Sequence, residues 1–237
     1  MKHLHWLLLL LVTVGYSQDT IYLNENYTET GKKSAAYYRL IEAKPDGSGL
    51  TTEKTFFLDN KIQLEEVFKN YNTEDQVRVE FTEYYRNGQS HLTGNYRPGN
   101  VDHYLTSYWE NGQLKRKDVY KKGRLVSGTC WNEEGVQVPF YDYEIQPQFL
   151  GGMSVFQLYL KNKLGGMNIP STFKGSKVLV KFTIDEKGDV NQVQILKSLD
   201  PKVEKEVKKV FEEMPQWAPA RQDGDPIAVV RKVYVVF

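Results

Sequence analysis

The chain has 237 residues, with 31 Lys and Arg against 30 Asp and Glu and a single cysteine. Near-neutrality removes the electrostatic footprint that nucleic-acid binding requires, and one Cys excludes any intramolecular disulfide. The length is enough for one large core or two small ones.

Lys2, His3 and His5 precede an apolar run from Trp6 to Val14, after which Gly15-Tyr16-Ser17 offers small residues for cleavage. This pattern predicts a secretory signal over residues 1–17, hence a periplasmic or secreted product with no membrane span once it is removed. A spanning helix needs about 20 apolar residues, and this run is shorter. An uncleaved anchor is the alternative. Loss of residues 1–17 removes one Lys and leaves 30 basic against 30 acidic residues.

Residues 18–144 carry 16 basic and 20 acidic side chains, whereas 145–237 carry 14 and 10. With turn formers and tyrosines gathered between Pro139 and Pro147, this predicts two domains, 18–144 and 145–237. In the first, Asn87-Gly88, Pro98-Gly99, Asn111-Gly112, Lys122-Gly123 and Glu134-Gly135 punctuate runs rich in Tyr, Val, Thr and Trp. Asn-Gly between such runs is a strong hairpin signal, so the expectation is an all-β meander of antiparallel strands built from hairpin repeats that stack. The tyrosines and Trp109 are read as packing on a pleated surface. His91 and His103 lack a second ligand at metal-binding spacing, so no metal site is expected.

The second domain opens at Gly151-Gly152. Ser154 is placed to cap a helix running to Leu164, with Met153 and Leu158 as a hydrophobic staple. Ile169-Pro170 ends the following segment. Lys177 to Ile184 alternates, with Val178, Val180, Phe182 and Ile184 on one face; Asp185 to Asp189 turns, and Val190 to Lys197 returns with Val193 and Ile195 inward. Asp200-Pro201 caps a second helix whose stripe is Val203, Val207, Val210, Phe211 and Met214. Pro215 and Pro219 end it, Trp217 covers the end of the sheet, and Ile227 to Phe237 forms the last strand. The expected fold class is α+β, an antiparallel three-stranded sheet with helices on one face.

Two resemblances sit on these residues. The double Gly, apolar helix, Ile169-Pro170, hairpin, Met214-Pro215-Gln216-Trp217-Ala218-Pro219 and final strand resemble the C-terminal domain of TonB-family energy transducers. Tyr84-Tyr85-Arg86-Asn87-Gly88-Gln89 and Tyr108-Trp109-Glu110-Asn111-Gly112-Gln113-Leu114 resemble variant MORN repeats, with a weaker copy at Cys130 to Val136 and a degenerate one at Phe56 to Lys61.

The TonB resemblance implies a non-enzymatic, cofactor-free binding module in transmembrane transport. Its partner would be an envelope protein, an outer-membrane TonB-dependent receptor, added as a strand beside the last strand. The implied partner-binding residues are Ile169, Pro170, Ile227, Val229, Val230, Arg231, Lys232, Val233 and Val235. A core strand with a covered edge is the competing reading of the same run. This chain departs from the transducers in lacking their Pro-rich spacer, whose place the hairpin repeats occupy. The alternative function is a structural or interaction protein whose repeats make the main contact. No nucleophile elbow, paired Cys or phosphate loop is present, so no enzyme is expected.

Overall fold

Backbone hydrogen bonds explain the glycines at three of the five predicted turns, Gly88, Gly112 and Gly135. In the computed structural model, which describes residues 20–44, 46–96, 103–166, 170–173, 175–197 and 200–236, the same turn recurs four times in the N-terminal unit. Phe57 N–H donates to Lys61 O, Tyr85 to Gln89 O, Trp109 to Gln113 O and Asn132 to Val136 O, at 2.7–2.9 Å. A second bond returns from the fourth residue to the first: Asn60 to Phe57 O, Gly88 to Tyr85 O, Gly112 to Trp109 O and Gly135 to Asn132 O. That fourth position has positive φ each time (66°, 86°, 82° and 76°). Asn60 fills it where Gly is missing because Asn tolerates the left-handed region.

The unit's ten strands are β1 (Ile21–Leu23), β2 (Tyr37–Ala43), β3 (Leu50–Phe57), β4 (Ile62–Lys69), β5 (Val77–Tyr84), β6 (Ser90–Tyr96), β7 (His103–Tyr108), β8 (Leu114–Lys121), β9 (Arg124–Trp131) and β10 (Gln137–Val138), and the four turns close the β3–β4, β5–β6, β7–β8 and β9–β10 hairpins. The strands form one antiparallel meander in chain order. Pro98-Gly99 falls outside the described residues.

Successive repeat turns are clasped together. Asn87 Nδ2 donates to Glu110 O at 2.9 Å, and Asn111 Nδ2 to Glu133 O at 3.0 Å. Tyr85 Oη donates to Tyr108 O at 2.8 Å, and Trp109 Nε1 to Trp131 O at 3.0 Å. Gln89 Oε1 would lie 2.4 Å from a Cβ on Gly112, and Gln113 Oε1 2.7 Å from one on Gly135. In each Asn-Gly-Gln the Asn therefore reaches forward to the next turn, the Gly makes the turn, and the Gln rests on the next turn's glycine.

One face of this sheet is buried by a mixture of apolar and paired charged groups, including Phe81, Leu92, Leu105 and Cys130. The Arg116 guanidinium meets Asp118 Oδ2 at 2.9 Å with both side chains fully buried, and Arg39 meets Glu53 at 2.9 Å. Buried charges persist only when paired in this way. Cys130 is fully buried.

The chain divides between Phe140 and Tyr141 into two compact units. The second holds β11 (Glu144–Ile145), β12 (Gln148–Phe149), α1 (Gly152–Gly165), β13 (Lys177–Ile184), β14 (Val190–Lys197), α2 (Pro201–Glu212), β15 (Trp217–Ala218), β16 (Ala220–Gln222), β17 (Asp225–Ile227) and β18 (Val229–Val236). Its main sheet has the order β14-β13-β18, antiparallel throughout. Asp200 caps α2 as expected, accepting from Lys202 N–H at 2.8 Å and Val203 N–H at 3.4 Å, with Pro201 in the first turn.

Helix α1 differs from expectation. It starts at Gly152 after Gly151 at φ +87°, so Ser154 lies inside it, and Met153 and Leu158 are 60% and 54% exposed. The two glycines turn the chain sharply after β12, which seats Phe149 in the core and starts the helix early. Phe156, Leu160 and Leu164 form the buried face instead. They join Val178, Val180, Phe182 and Ile184 of β13 and the α2 stripe in one core, with both helices on the same sheet face. Trp217 is buried among Phe149, Phe156 and Phe182.

The expected last strand from Ile227 is also corrected. Ile227 belongs to β17 and pairs with Ala220, and only Val229 to Val236 run beside β13. The cause is a two-residue turn at Asp223-Gly224, at φ +49° and +87°, which folds β16 and β17 into their own hairpin. Phe237 lies outside the described residues.

Candidate functional site

β18 is an edge. Its ladder among the described residues runs to β13 alone, from Val229 opposite Ile184 to Val236 opposite Lys177. The strand is eight residues long, with no proline and no bulge in its pairing. Such a strand leaves a row of backbone donors and acceptors on its outer side, spaced for another extended chain.

Alternation divides its side chains. Val229, Arg231, Val233 and Val235 face the helices, where Val229 and Val233 pack against the core and Val235 is buried. The Arg231 guanidinium donates to Gln146 Oε1, which ties the strand to the segment between β11 and β12. Val230, Lys232, Tyr234 and Val236 face the other way and are exposed, the three apolar ones at 53%, 60% and 57%. Of the residues predicted from sequence, Val230 and Lys232 therefore present side chains on the open face. Val229, Arg231, Val233 and Val235 contribute backbone to the edge.

Ile227, in β17 opposite Ala220, is not part of this edge, and the other two predicted residues lie elsewhere. Pro170 is exposed and lines an open groove of about 860 Å³ between α1 and α2, with Asn162, Lys163, Asp200, Val203 and Val210. Ile169 is outside the described residues. The groove is on the helix side and the exposed row of β18 on the opposite sheet face, so Pro170 and that row form no common patch. Tyr159 pins the helices there, its hydroxyl donating to Val210 O at 2.9 Å, and burial raises its pKa above the ordinary phenol value.

Tyr234 and the cross-strand Leu179, Lys181 and Leu196 belong to the open face but were not among the residues predicted to bind. Alternation in Lys177 to Ile184 was the signal available for Leu179 and Lys181. Leu196 sits where the β13–β14 register shifts, which no periodicity announces.

Residues 174–237 match the family model of the Gram-negative bacterial TonB protein C-terminal. The match takes in β13, β14, α2 and β18 and begins after α1. No curated protein matches the chain. Among the described residues, no helix is long and apolar enough to cross a membrane.

Proposed function

We propose that this protein is a non-catalytic binding module of the Gram-negative envelope, periplasmic or secreted after removal of residues 1–17. Its C-terminal unit captures an extended segment of an envelope protein by adding it to β18. The observation that carries this reading is the unpaired edge of β18 within the segment matched to the TonB C-terminal family. Main-chain hydrogen bonds along the edge supply affinity and need no catalytic group, while alternate side chains supply selectivity. An outer-membrane TonB-dependent receptor is the partner class the family suggests, with a role in transport across that membrane. The hairpin repeats, which resemble variant MORN repeats, stand where the transducers carry a spacer.

A proline scan of the full chain at Val229, Val230, Arg231, Lys232 and Val233 tests this. In an edge strand, alternate N–H groups point into the ladder and outward. One parity set should lower the melting temperature; the other should stay folded and lose partner capture from outer-membrane extract, with the bound protein identified by cross-linking. Uniform unfolding of all five variants, or unchanged capture by the folded set, overturns strand addition at β18.

A further inference from the structure

Among the described residues, the open face of the β14-β13-β18 sheet is basic without compensation. Lys232 stands directly opposite Lys181, and Lys177 and Lys197 lie on the neighbouring strands of the same sheet. None of the three strands contains an Asp or Glu. None of these four lysines has an ion pair or side-chain hydrogen bond to another described residue. Like charges directly opposite on a sheet surface are destabilising, so the Lys181–Lys232 pair is a local conflict that the isolated fold does nothing to relieve.

The neighbours of that pair define what would relieve it. The row beside it on one side is Leu179 opposite Tyr234, and on the other Thr183 opposite Val230. Tyr234 and Val230 are more than half exposed, and Leu196 is 48% exposed. A chain added at the β18 edge continues each row by one residue. It therefore meets Lys232 at one position, and Val230 and Tyr234 at the positions two residues away on either side.

We infer that the partner strand carries an acidic residue beside Lys232 and apolar residues two places before and after it. This inference rests on the strand addition proposed above and specifies the chemistry of its ligand. The acidic group neutralises the β18 end of a row that runs Gln194, Lys181, Lys232. The flanking apolar side chains cover Tyr234 and Val230. The recognition pattern is apolar, any residue, acidic, any residue, apolar, and it reads the same in either strand direction. An extended polypeptide fits better than a lipid surface because its two-residue repeat matches the alternation of charged and apolar rows.

The test uses the full chain and three dye-labelled peptides, Val-Thr-Val-Thr-Xaa-Thr-Val-Thr-Val with Glu, Gln or Lys at Xaa, followed by fluorescence anisotropy at low and high salt. The expected order is Glu tighter than Gln and Gln tighter than Lys, spanning about fivefold to tenfold and narrowing with salt. Lys232→Glu should reverse the order, and Lys232→Gln should flatten it. Lys232→Glu should also melt no lower than the parent, since it converts the opposed lysines into an ion pair, and this guards against loss of fold as the cause. Equal binding of all three peptides overturns the inference while leaving strand addition standing. Binding of none overturns both and makes Lys232 a guard that keeps strands off the edge. Sedimentation with phosphatidylglycerol vesicles in the absence of peptide binding overturns it in favour of a membrane-facing surface.

Discussion

Trp217 N–H donates to Gly188 O at 2.8 Å, while a Cβ placed on Gly188 would lie 1.9 Å from Trp217 O. The β13–β14 turn and the strand after α2 are thus in backbone contact, with Gly188 at φ +91° serving as the point of closest approach. Gln216 Nε2 donates to Asp189 Oδ1 at 3.1 Å beside it. Because Trp217 also fills the middle of the core, this contact couples the tip of the hairpin to the aromatic cluster that supports β13.

Gly188→Ala should therefore lower stability by about 2–5 kcal/mol, combining left-handed strain with displacement of rigid backbone. Gly112→Ala is the control. Gly112 has a similar φ of +82°, but its nearest obstacle is Gln89 Oε1, the end of a flexible side chain. It should cost about 1–2 kcal/mol, mostly strain. Denaturant melts of both variants check the ranking, and equal losses would show that the Trp217 contact yields easily.

The parts of the fold that sequence made legible are those where local and tertiary preferences agree. Lys177 to Ile184 alternates because one face is buried, and Asp200-Pro201 starts α2 by local chemistry alone. The α1 start was illegible because Met153, Val155, Phe156, Leu158, Tyr159, Leu160 and Leu164 are apolar around most of the helix, so periodicity could not choose between a Met153–Leu158 staple and the Phe156–Leu160–Leu164 face. Strands of two residues such as β11, β12 and β15 have no pattern of their own; they exist where tertiary placement brings two backbones together. For the site, the family resemblance and β-branched composition suggested the last strand, but the direct opposition of Lys181 and Lys232 depends on register between strands about fifty residues apart in the chain. The turn at Asp223-Gly224 was a legible hairpin signal, and reading it would have set Ile227 apart from the final strand.

Asn111 tests the clasp between repeats. Its side chain donates to Glu133 O at 3.0 Å and accepts from Gln113 N–H at 2.9 Å. Asn111→Ala should cost about 1–2 kcal/mol by removing both bonds, and Asn111→Asp should be milder because it keeps the acceptor. Hydrogen exchange should show the added loss of protection on the amides of the 132–136 turn. A loss confined to the 109–113 turn would mean that the clasp carries no coupling from one repeat to the next.

The Arg116–Asp118 pair makes a sharper energetic prediction. Both side chains are fully buried, and the Phe140 ring lies 5.4 Å from the Arg116 guanidinium carbon. Asp118→Ala removes the carboxylate that the buried Arg116 guanidinium meets at 2.9 Å and should cost about 3–5 kcal/mol. Replacing both partners, Arg116→Met with Asp118→Leu, removes the charge problem and should cost less than the single change. A double variant as unstable as the sum of the two singles would show that the groups act independently.

Tyr71 gives the N-terminal unit an alkaline limit. Its hydroxyl donates to Glu53 Oε1 at 2.5 Å, and Glu53 in turn pairs with Arg39. Burial first, then the hydrogen bond to Glu53, pushes the Tyr71 pKa from 10.0 up to about 12. The folded protein therefore holds this proton more tightly than the unfolded chain. The stabilisation is complete below the unfolded value and fades as pH rises from about 10 to 12. Tyr27 shifts in the same direction, also to about 12, with burial the leading cause and a hydrogen bond with Tyr37 the next. Denaturant midpoints measured from pH 9 to pH 12 should fall across that window in the parent. Tyr71→Phe should start lower at pH 9, having lost the Glu53 bond, and decline less steeply above pH 10. If the two proteins decline in parallel, Tyr71 ionises as freely folded as unfolded, and the alkaline limit belongs to Tyr27 or another phenol.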